Sequence, residues 1–290
     1  MSERLNGYGM GWLPDRPDFR DLAPEDPEMS DLLIKTVAPD MGPQALPATV
    51  DLRKWCSPIE NQGQIGSCTA QAGVGLVEYF ERKAFGTHIE GSRLFLYKVT
   101  RNLLHWTGDT GAFLRTTMGA LKCFGVPPEE YWPYRTSDFD KEPSPFAYAF
   151  GQNYQALRYF RFDPPGTPRD ELLNRIKTHL ASSIPSMFGF TVYSSISQAD
   201  SNGEIPFPAA GEKVAGGHAI DAVGYDDGKV ITHTGSRAKT TGALLIRNSW
   251  GRGWGDNGYG WLPYDYVMRG LAVDWWSILK HEWVDTGEFK

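Results

Sequence analysis

No run of 18 apolar residues occurs in this 290-residue chain, so nothing in it reads as a membrane-spanning helix. Its first residues, Met-Ser-Glu-Arg-Leu-Asn-Gly-Tyr-Gly-Met, lack a basic stretch followed by an apolar one, and no standard signal peptide is expected. That leaves the cytoplasm, or export by another route. Cysteine is scarce. Cys56, Cys68 and Cys123 are too few and too scattered for a disulfide framework or for paired zinc ligands. At most Cys56 could bridge to Cys123 beside a free Cys68, and free thiols are expected for both. Positive charge does not dominate either: 29 Lys and Arg against 35 Asp and Glu give a net charge of -6, which argues against a nucleic-acid partner. His105, His233 and His281 have no ligand partners at metal spacing, so no metal or other cofactor is expected. Internal repeats and low-complexity tracts are absent. With 41% hydrophobic residues, the length suffices for one large core or for two half-cores meeting at a cleft.

What is present centres on the stretch from Glu60 to Phe80. Gly63 and Gly66 permit tight loop geometry before Cys68, and Val74, Val77 and Phe80 recur at helical spacing after it, so a helix is predicted to start at Cys68. A thiol there faces unpaired backbone N–H groups and the positive end of the helix dipole, both of which favour the thiolate. A neighbouring imidazolium would complete the activation. Gln62, six residues upstream, offers a side-chain amide able to donate to a developing oxyanion. His218 lies 150 residues further on, in Gly216-Gly217-His218-Ala219-Ile220, at the start of a predicted strand. Downstream stand Arg247-Asn248-Ser249-Trp250-Gly251 and Gly253-Trp254-Gly255. Gly253, Gly255 and Gly258 also fit a dinucleotide fingerprint, but Tyr259-Gly260-Trp261-Leu262-Pro263 cannot open the helix that a pyrophosphate would need.

Asn61-Gln62-Gly63 followed by Gly66-Ser67-Cys68 resembles the active-site loop of the papain-like cysteine peptidases, and Asn248-Ser249-Trp250-Gly251 with Trp254-Gly255 resembles that family's Asn-Ser-Trp-Gly run. Two positions depart from the pattern. Ile65 stands where the family has a cysteine, so the disulfide made there cannot form, and Thr69 replaces the aromatic residue after the nucleophile. The resemblance spans about Leu46 to Trp276 and is strongest to a bacterial member of the family. It implies an α+β, papain-like two-domain fold, with a helical left domain, an antiparallel barrel-like right domain and the active-site cleft between them. It further implies a cysteine endopeptidase, with Cys68 as nucleophile, His218 as acid and base, Asn248 holding the ring, Trp250 covering that hydrogen bond, and Gln62 with the Cys68 amide receiving the oxyanion. An acyl or peptidyl transferase using the same Cys-His site is the alternative. For substrate contacts, the resemblance implies backbone hydrogen bonds at Thr110 and Gly111, and a specificity pocket bounded by Gly217 and Gly189. The bare glycines should widen that pocket for bulky apolar or aromatic groups, with Asp274 or Trp275 as its far wall. Protein or peptide substrates and cystatin-type or epoxide inhibitors follow from the family; no nucleic acid, no membrane and a monomer are expected.

Along the chain, residues 1–45 read as an extended segment, with prolines at 14, 17, 24, 27, 39 and 43 leaving little room for a long helix. Trp12, Leu13 and Phe19 nonetheless call for burial, and the segment is expected to be a short inhibitory prosegment, making the chain a zymogen. Residues 46–290 form the peptidase domain, with a helical half at about 56–140 and a β-rich half at about 141–276 plus 46–55. Helices are predicted at Ser92 to Leu104, with Leu94, Leu96, Val99 and Leu103 on one face, at Ala112 to Phe124, and after a Thr167-Pro168 cap. The polar, proline-bearing stretch Ser137 to Pro145 is expected to cross between the halves. Beyond the Thr167 helix the chain reads as strand and turn, notably Ser186 to Val192, Ala219 to Tyr225 and Ala243 to Asn248, with Gly228 to Gly242 a hairpin tip in solvent.

Overall fold

The computed structural model describes residues 4–5, 7–16, 18–36, 46–154 and 158–288. The expected end of the prosegment near Ala45 lies outside these described residues. One half is built on the Cys68–Phe85 helix, which is buried on nearly all sides and ends where Gly86 adopts a left-handed φ of 73°. Two glycines let its backbone be pressed from both flanks. A Cβ on Gly73 would crowd Thr117 and Leu96, and one on Gly75 would come within 2.4 Å of the Arg247 guanidinium. Arg93–Leu103 and Leu114–Phe124 pack beside it, the former capped by Ser92, whose hydroxyl accepts from the Phe95 amide at 3.2 Å. Leu103, expected on the inner face, is exposed because it ends the helix.

The other half is an antiparallel sheet of seven strands. Its order is Arg158–Arg161, Ala272–Leu279, Ser186–Tyr193, Val214–Thr232, Lys239–Arg247 and Tyr259–Pro263, with Thr49–Asp51 paired alongside the long Val214–Thr232 strand. Register places Gly189 opposite Ala219 and Gly217 opposite Thr191. The two bare positions are therefore diagonal neighbours on one face of the sheet, beside a bulge between Met187 and Gly189. The halves are stitched where the Gln62 amide donates to the Ser249 carbonyl at 2.8 Å and the Gly251 amide to that of Glu60 at 2.9 Å. None of Cys56, Cys68 and Cys123 is in a disulfide.

Several expectations need correction. The N-terminal segment is not wholly extended, because Pro27–Thr36 is a helix. Proline at its first position costs no hydrogen bond, and Met29, Leu32, Leu33 and Thr36 fall at a helical period and are buried. Phe19 is 94% exposed, so only Trp12 and, in part, Leu13 are taken inside. The crossing between halves comes after the Ser137 to Pro145 stretch, since the Pro145–Gly151 helix still belongs to the helical side, with Tyr148 packed on Phe95 and Phe124. Thr167 does not cap the Arg169–Ala181 helix; its hydroxyl turns back to the Pro164 carbonyl at 2.9 Å. Short helices at Tyr264–Met268 and His281–Val284 interrupt what read as strand and turn. The hairpin at 228–242 is anchored as well as exposed, through Lys229 to Glu204 at 2.8 Å and His233 to Glu212.

Candidate active site

Ser67 opens the Cys68 helix without using its side chain as a cap, because its hydroxyl is engaged with the Tyr134 hydroxyl at 2.6 Å. The first amides of the helix are thus left to the sulfur. The Cys68 thiol faces its own N–H and that of Thr69, and also the N–H groups of Ala219 and Gly11. Ala219 adjoins His218 on the long strand, which brings the imidazole to the same corner of the cleft. His218 Nε2 meets Asn248 Oδ1 at 2.8 Å, while its Nδ1 has no hydrogen-bond partner among the described residues. Trp250 stacks on the imidazole with centroids 4.5 Å apart and crosses Trp254 edge-on at 5.6 Å. Gln62 is aimed from its other end, where its Oε1 accepts from the Ser249 hydroxyl at 2.6 Å. The side-chain Nε2 is thereby turned into the cleft.

The cleft is filled by the chain's own N-terminal segment. Gln62 Nε2 donates to the Gly9 carbonyl at 3.0 Å, the Gly9 amide donates to the Gly63 carbonyl at 2.9 Å, and Tyr8 stacks on Trp250 at 4.7 Å. Further along, the Ala112 amide donates to the Gly11 carbonyl at 2.8 Å and the Leu13 amide to the Ala112 carbonyl at 3.1 Å, a parallel bridge centred on Trp12. The indole of Trp12 lies on the two bare positions. A Cβ on Gly189 would fall 1.8 Å from its ring, and one on Gly217 would meet the Trp12 carbonyl at 2.4 Å. Across the pocket, Trp12 Nε1 donates to Asp274 Oδ2 at 3.1 Å. Gly9 and Gly11 are themselves required bare, since Cβ atoms there would fall 2.2 Å from the Ile65 carbonyl oxygen and 2.1 Å from that of Gly66.

Two expectations change here. Thr110 and Gly111 do not supply the backbone hydrogen bonds to the extended strand; Ala112 does, while Gly111 is the bare position against which Gly11 rests. Nor is the Cys-His pair charged in this covered state. Cys68, His218 and Gln62 are all fully buried, and loss of water pushes the thiol up to about 11 and the imidazole down to about 4. Both are neutral at physiological pH. Among the described residues Glu78, His88 and Glu90 converge closely enough for a cation, but Arg93 already holds both carboxylates at 2.7 Å. The glycines at 253, 255 and 258 lead into the strand Tyr259–Pro263, so no helix start is available for a pyrophosphate. The sequence reading missed Gly9, Gly11, Ala112 and Ser249. The alternation Gly7-Tyr8-Gly9-Met10-Gly11-Trp12, small against large, was the available signal for a strand pressed on another backbone.

Residues 46–272 match the family model described as papain family cysteine protease. The chain is 32% identical over 279 residues to a peptidase C1-like protein of Acanthamoeba polyphaga mimivirus, covering 92% of this chain and 86% of that one. It is 27% identical over 220 residues to cathepsin K of Mus musculus, covering 74% of this chain and 59% of that protein. Among solved structures it superposes on xylellain, a cysteine protease from Xylella fastidiosa, with a TM-score of 0.74 at 32% identity, over 97% of this chain and 99% of that one. The bromelain protease of Ananas comosus, solved in complex with E-64, shares the fold with a TM-score of 0.59 at 18% identity, over 81% of this chain and 100% of that one.

Proposed function

From the premise that the chain belongs to the papain family of cysteine proteases, we propose that it is an endopeptidase working through Cys68, His218, Asn248 and Gln62, held inactive by residues 7–16 in its own cleft. The observation that carries the reading is the Gly9 carbonyl on Gln62 Nε2, with the Gly11 amide against the Cys68 sulfur. A substrate would have its oxyanion at Gln62, and that position is taken. The segment escapes cleavage because it runs the wrong way. In a productive substrate the residue filling the Gly189 and Gly217 pocket precedes the scissile bond, whereas here the chain passes Gln62 and Cys68 first, at Gly9 and Gly11, and reaches the pocket afterwards with Trp12.

Once the cleft is open to water, the desolvation that keeps Cys68 and His218 neutral is lifted, and the helix-start amides favour the thiolate beside an imidazolium. The thiolate attacks the substrate carbonyl, and the oxyanion is held by Gln62 Nε2 and the Cys68 amide. His218 Nδ1, unpartnered among the described residues, gives its proton to the leaving amine and then takes one from the water that hydrolyses the thioester. Asn248 on Nε2 fixes the ring for both transfers, under the cover of Trp250. The pocket lined by Gly189 and Gly217 accepts a large aromatic side chain, as its own occupant Trp12 illustrates. The test uses the full chain with a site-specific protease sequence inserted after Arg16. Cutting should release activity on a fluorogenic peptide and permit labelling of Cys68 by E-64, both absent from a Cys68→Ala control. Equal activity before and after the cut would overturn the inhibitory reading.

A further inference from the structure

The N-terminal segment is held on either side of a connector in which Pro14, Arg16 and Phe19 are exposed. Residues 7–16 touch the body through backbone hydrogen bonds, the Tyr8 and Trp12 rings, the buried Met10, and Arg115, which pairs with Asp15 and donates to the Arg16 carbonyl. From Asp21 onwards the chain packs into the body. Met29, Leu32 and Leu33 are buried, Glu25 pairs with Arg175 at 2.9 Å, Lys35 pairs with Asp285 at 2.8 Å, and the Leu22 carbonyl accepts from the Arg161 amide at 2.7 Å.

Asp21 is the most consequential member of this stretch. Its carboxylate accepts two hydrogen bonds from Arg115, both at 2.7 Å, and its Oδ2 lies 3.5 Å from Arg161 Nη1. Arg161, with a side chain only 2% exposed, extends on to Asp163 at 2.9 Å and to Asp274 Oδ1 at 3.4 Å. Asp274 is the carboxylate that receives the Trp12 indole, and Asp163 in turn accepts from the Asp274 amide at 2.8 Å. One line of charges thus runs from the N-terminal stretch to the floor of the pocket. Both guanidiniums also lie near the Trp276 ring, Arg115 at 5.7 Å and Arg161 at 5.2 Å, with Asp21 as the anion between them. Taking it away would remove one of the three carboxylates around the buried Arg161 and leave Arg115 with Asp15, which departs with the first fragment in the cut chain; buried charge is costly unless paired.

Resting on the pocket assignment above, we propose that residues 18–36 are a permanent part of the working enzyme and not of its removable block, with Asp21 acting through Arg161 as a positioning residue for Asp274. The enzyme's specificity pocket is completed by a stretch that a sequence reading assigns to the prosegment.

The experiment uses the full chain with two different protease sequences inserted, one after Arg16 and one between Thr36 and Leu46. After both cuts, size-exclusion chromatography with mass spectrometry should find the first fragment lost and the 18–36 fragment co-eluting with the body. The selectivity ratio, kcat/KM for a peptide with Trp at the second residue before the scissile bond over that for Ala, should fall about tenfold in Asp21→Asn, the loss expected when a buried polar group is deprived of a partner. That fall should lie in KM, and Asp21→Glu should restore part of it. Thermal unfolding of both variants separates a lost ratio from a lost fold. The 18–36 fragment leaving with the first while the ratio survives, or both peptides losing turnover equally in Asp21→Asn, would overturn the proposal. If the uncut chain proves fully active, the blocking role of 7–16 fails, while co-elution and the ratio still decide this one.

Discussion

Replacing Trp12 by alanine attacks the blocked state at its largest single contact. The indole is 5% exposed, lies on the bare backbone of Gly189 and Gly217, and gives its N–H to Asp274. Truncating a tryptophan in a closed core costs about 3–5 kcal/mol, with unmet polar groups adding to that. Here the reference is an undocked segment and not an unfolded chain. Water can fill the emptied pocket and rehydrate Asp274, so the lower end applies, about 3 kcal/mol or roughly a hundredfold in the docking equilibrium. Because activity of the intact chain reports its undocked fraction, kcat/KM of uncut Trp12→Ala should exceed that of the uncut wild type by about that factor. The rate of Cys68 labelling by E-64 should rise in parallel. The cut forms of both should be indistinguishable, since residue 12 has left with the fragment. The reasoning fails if uncut Trp12→Ala stays as inert as the wild type while cutting activates both.

Two further outcomes follow from other parts of the molecule. In the cut chain, Gln62→Ala should lower kcat roughly a hundred- to a thousandfold with a much smaller change in KM, because the amide that meets Gly9 in the blocked state is the one that would meet an oxyanion; steady-state kinetics on one peptide reads this. Asp221 is buried, its Oδ1 has no hydrogen-bond partner among the described residues, and Arg247 only approaches it at 3.7 Å, so burial raises its carboxyl from 3.8 to about 8. The folded state then binds a proton that the unfolded state gives up, and this contribution to stability falls as pH rises from about 4 to about 8. Urea unfolding at pH 5.5 and 8.5 should show Asp221→Asn losing that slope, a difference on the order of 2–3 kcal/mol from the wild type; an unchanged slope would mean that Asp221 is ionised throughout.

The candidate catalytic residues could be singled out because their local sequence is constrained by backbone geometry. Gly63 and Gly66 shape the loop before Cys68, and Asn248 follows the end of one strand where it can reach a histidine at the start of another. The long helices announced themselves by period, as Val74, Val77 and Phe80 did for the central one. What escaped was set by contacts between distant parts of the chain. The helix Pro27–Thr36 was masked by the prolines around it, though Met29, Leu32, Leu33 and Thr36 held the period. Phe19 shows that a large apolar residue in a tail need not be buried. Ala112 could not be preferred over Gly111 without knowing which amide faces the cleft.

The neutral state of the covered Cys-His pair was not legible in the sequence for a more general reason. Helix-start amides and a nearby imidazole are fixed features of Cys68, and a sequence displays them; hydration is a property of the whole assembled surface. With residues 7–16 in place, no water reaches either group, and burial outweighs the amides. On the proposed reading, blocking is twofold: the segment occupies the place of the oxyanion at Gln62, and by covering Cys68 and His218 it disfavours their charged forms. The bare backbone at Gly189 and Gly217 is what admits Trp12, and on the proposed reading the same width would take an aromatic substrate residue. Narrowing the pocket with Gly189→Ala would place a Cβ within 1.8 Å of the indole, so it should undock the segment and reject large aromatic substrates together. Activation and a narrowed specificity should then appear in a single variant, an outcome expected only if substrate and segment share the one site.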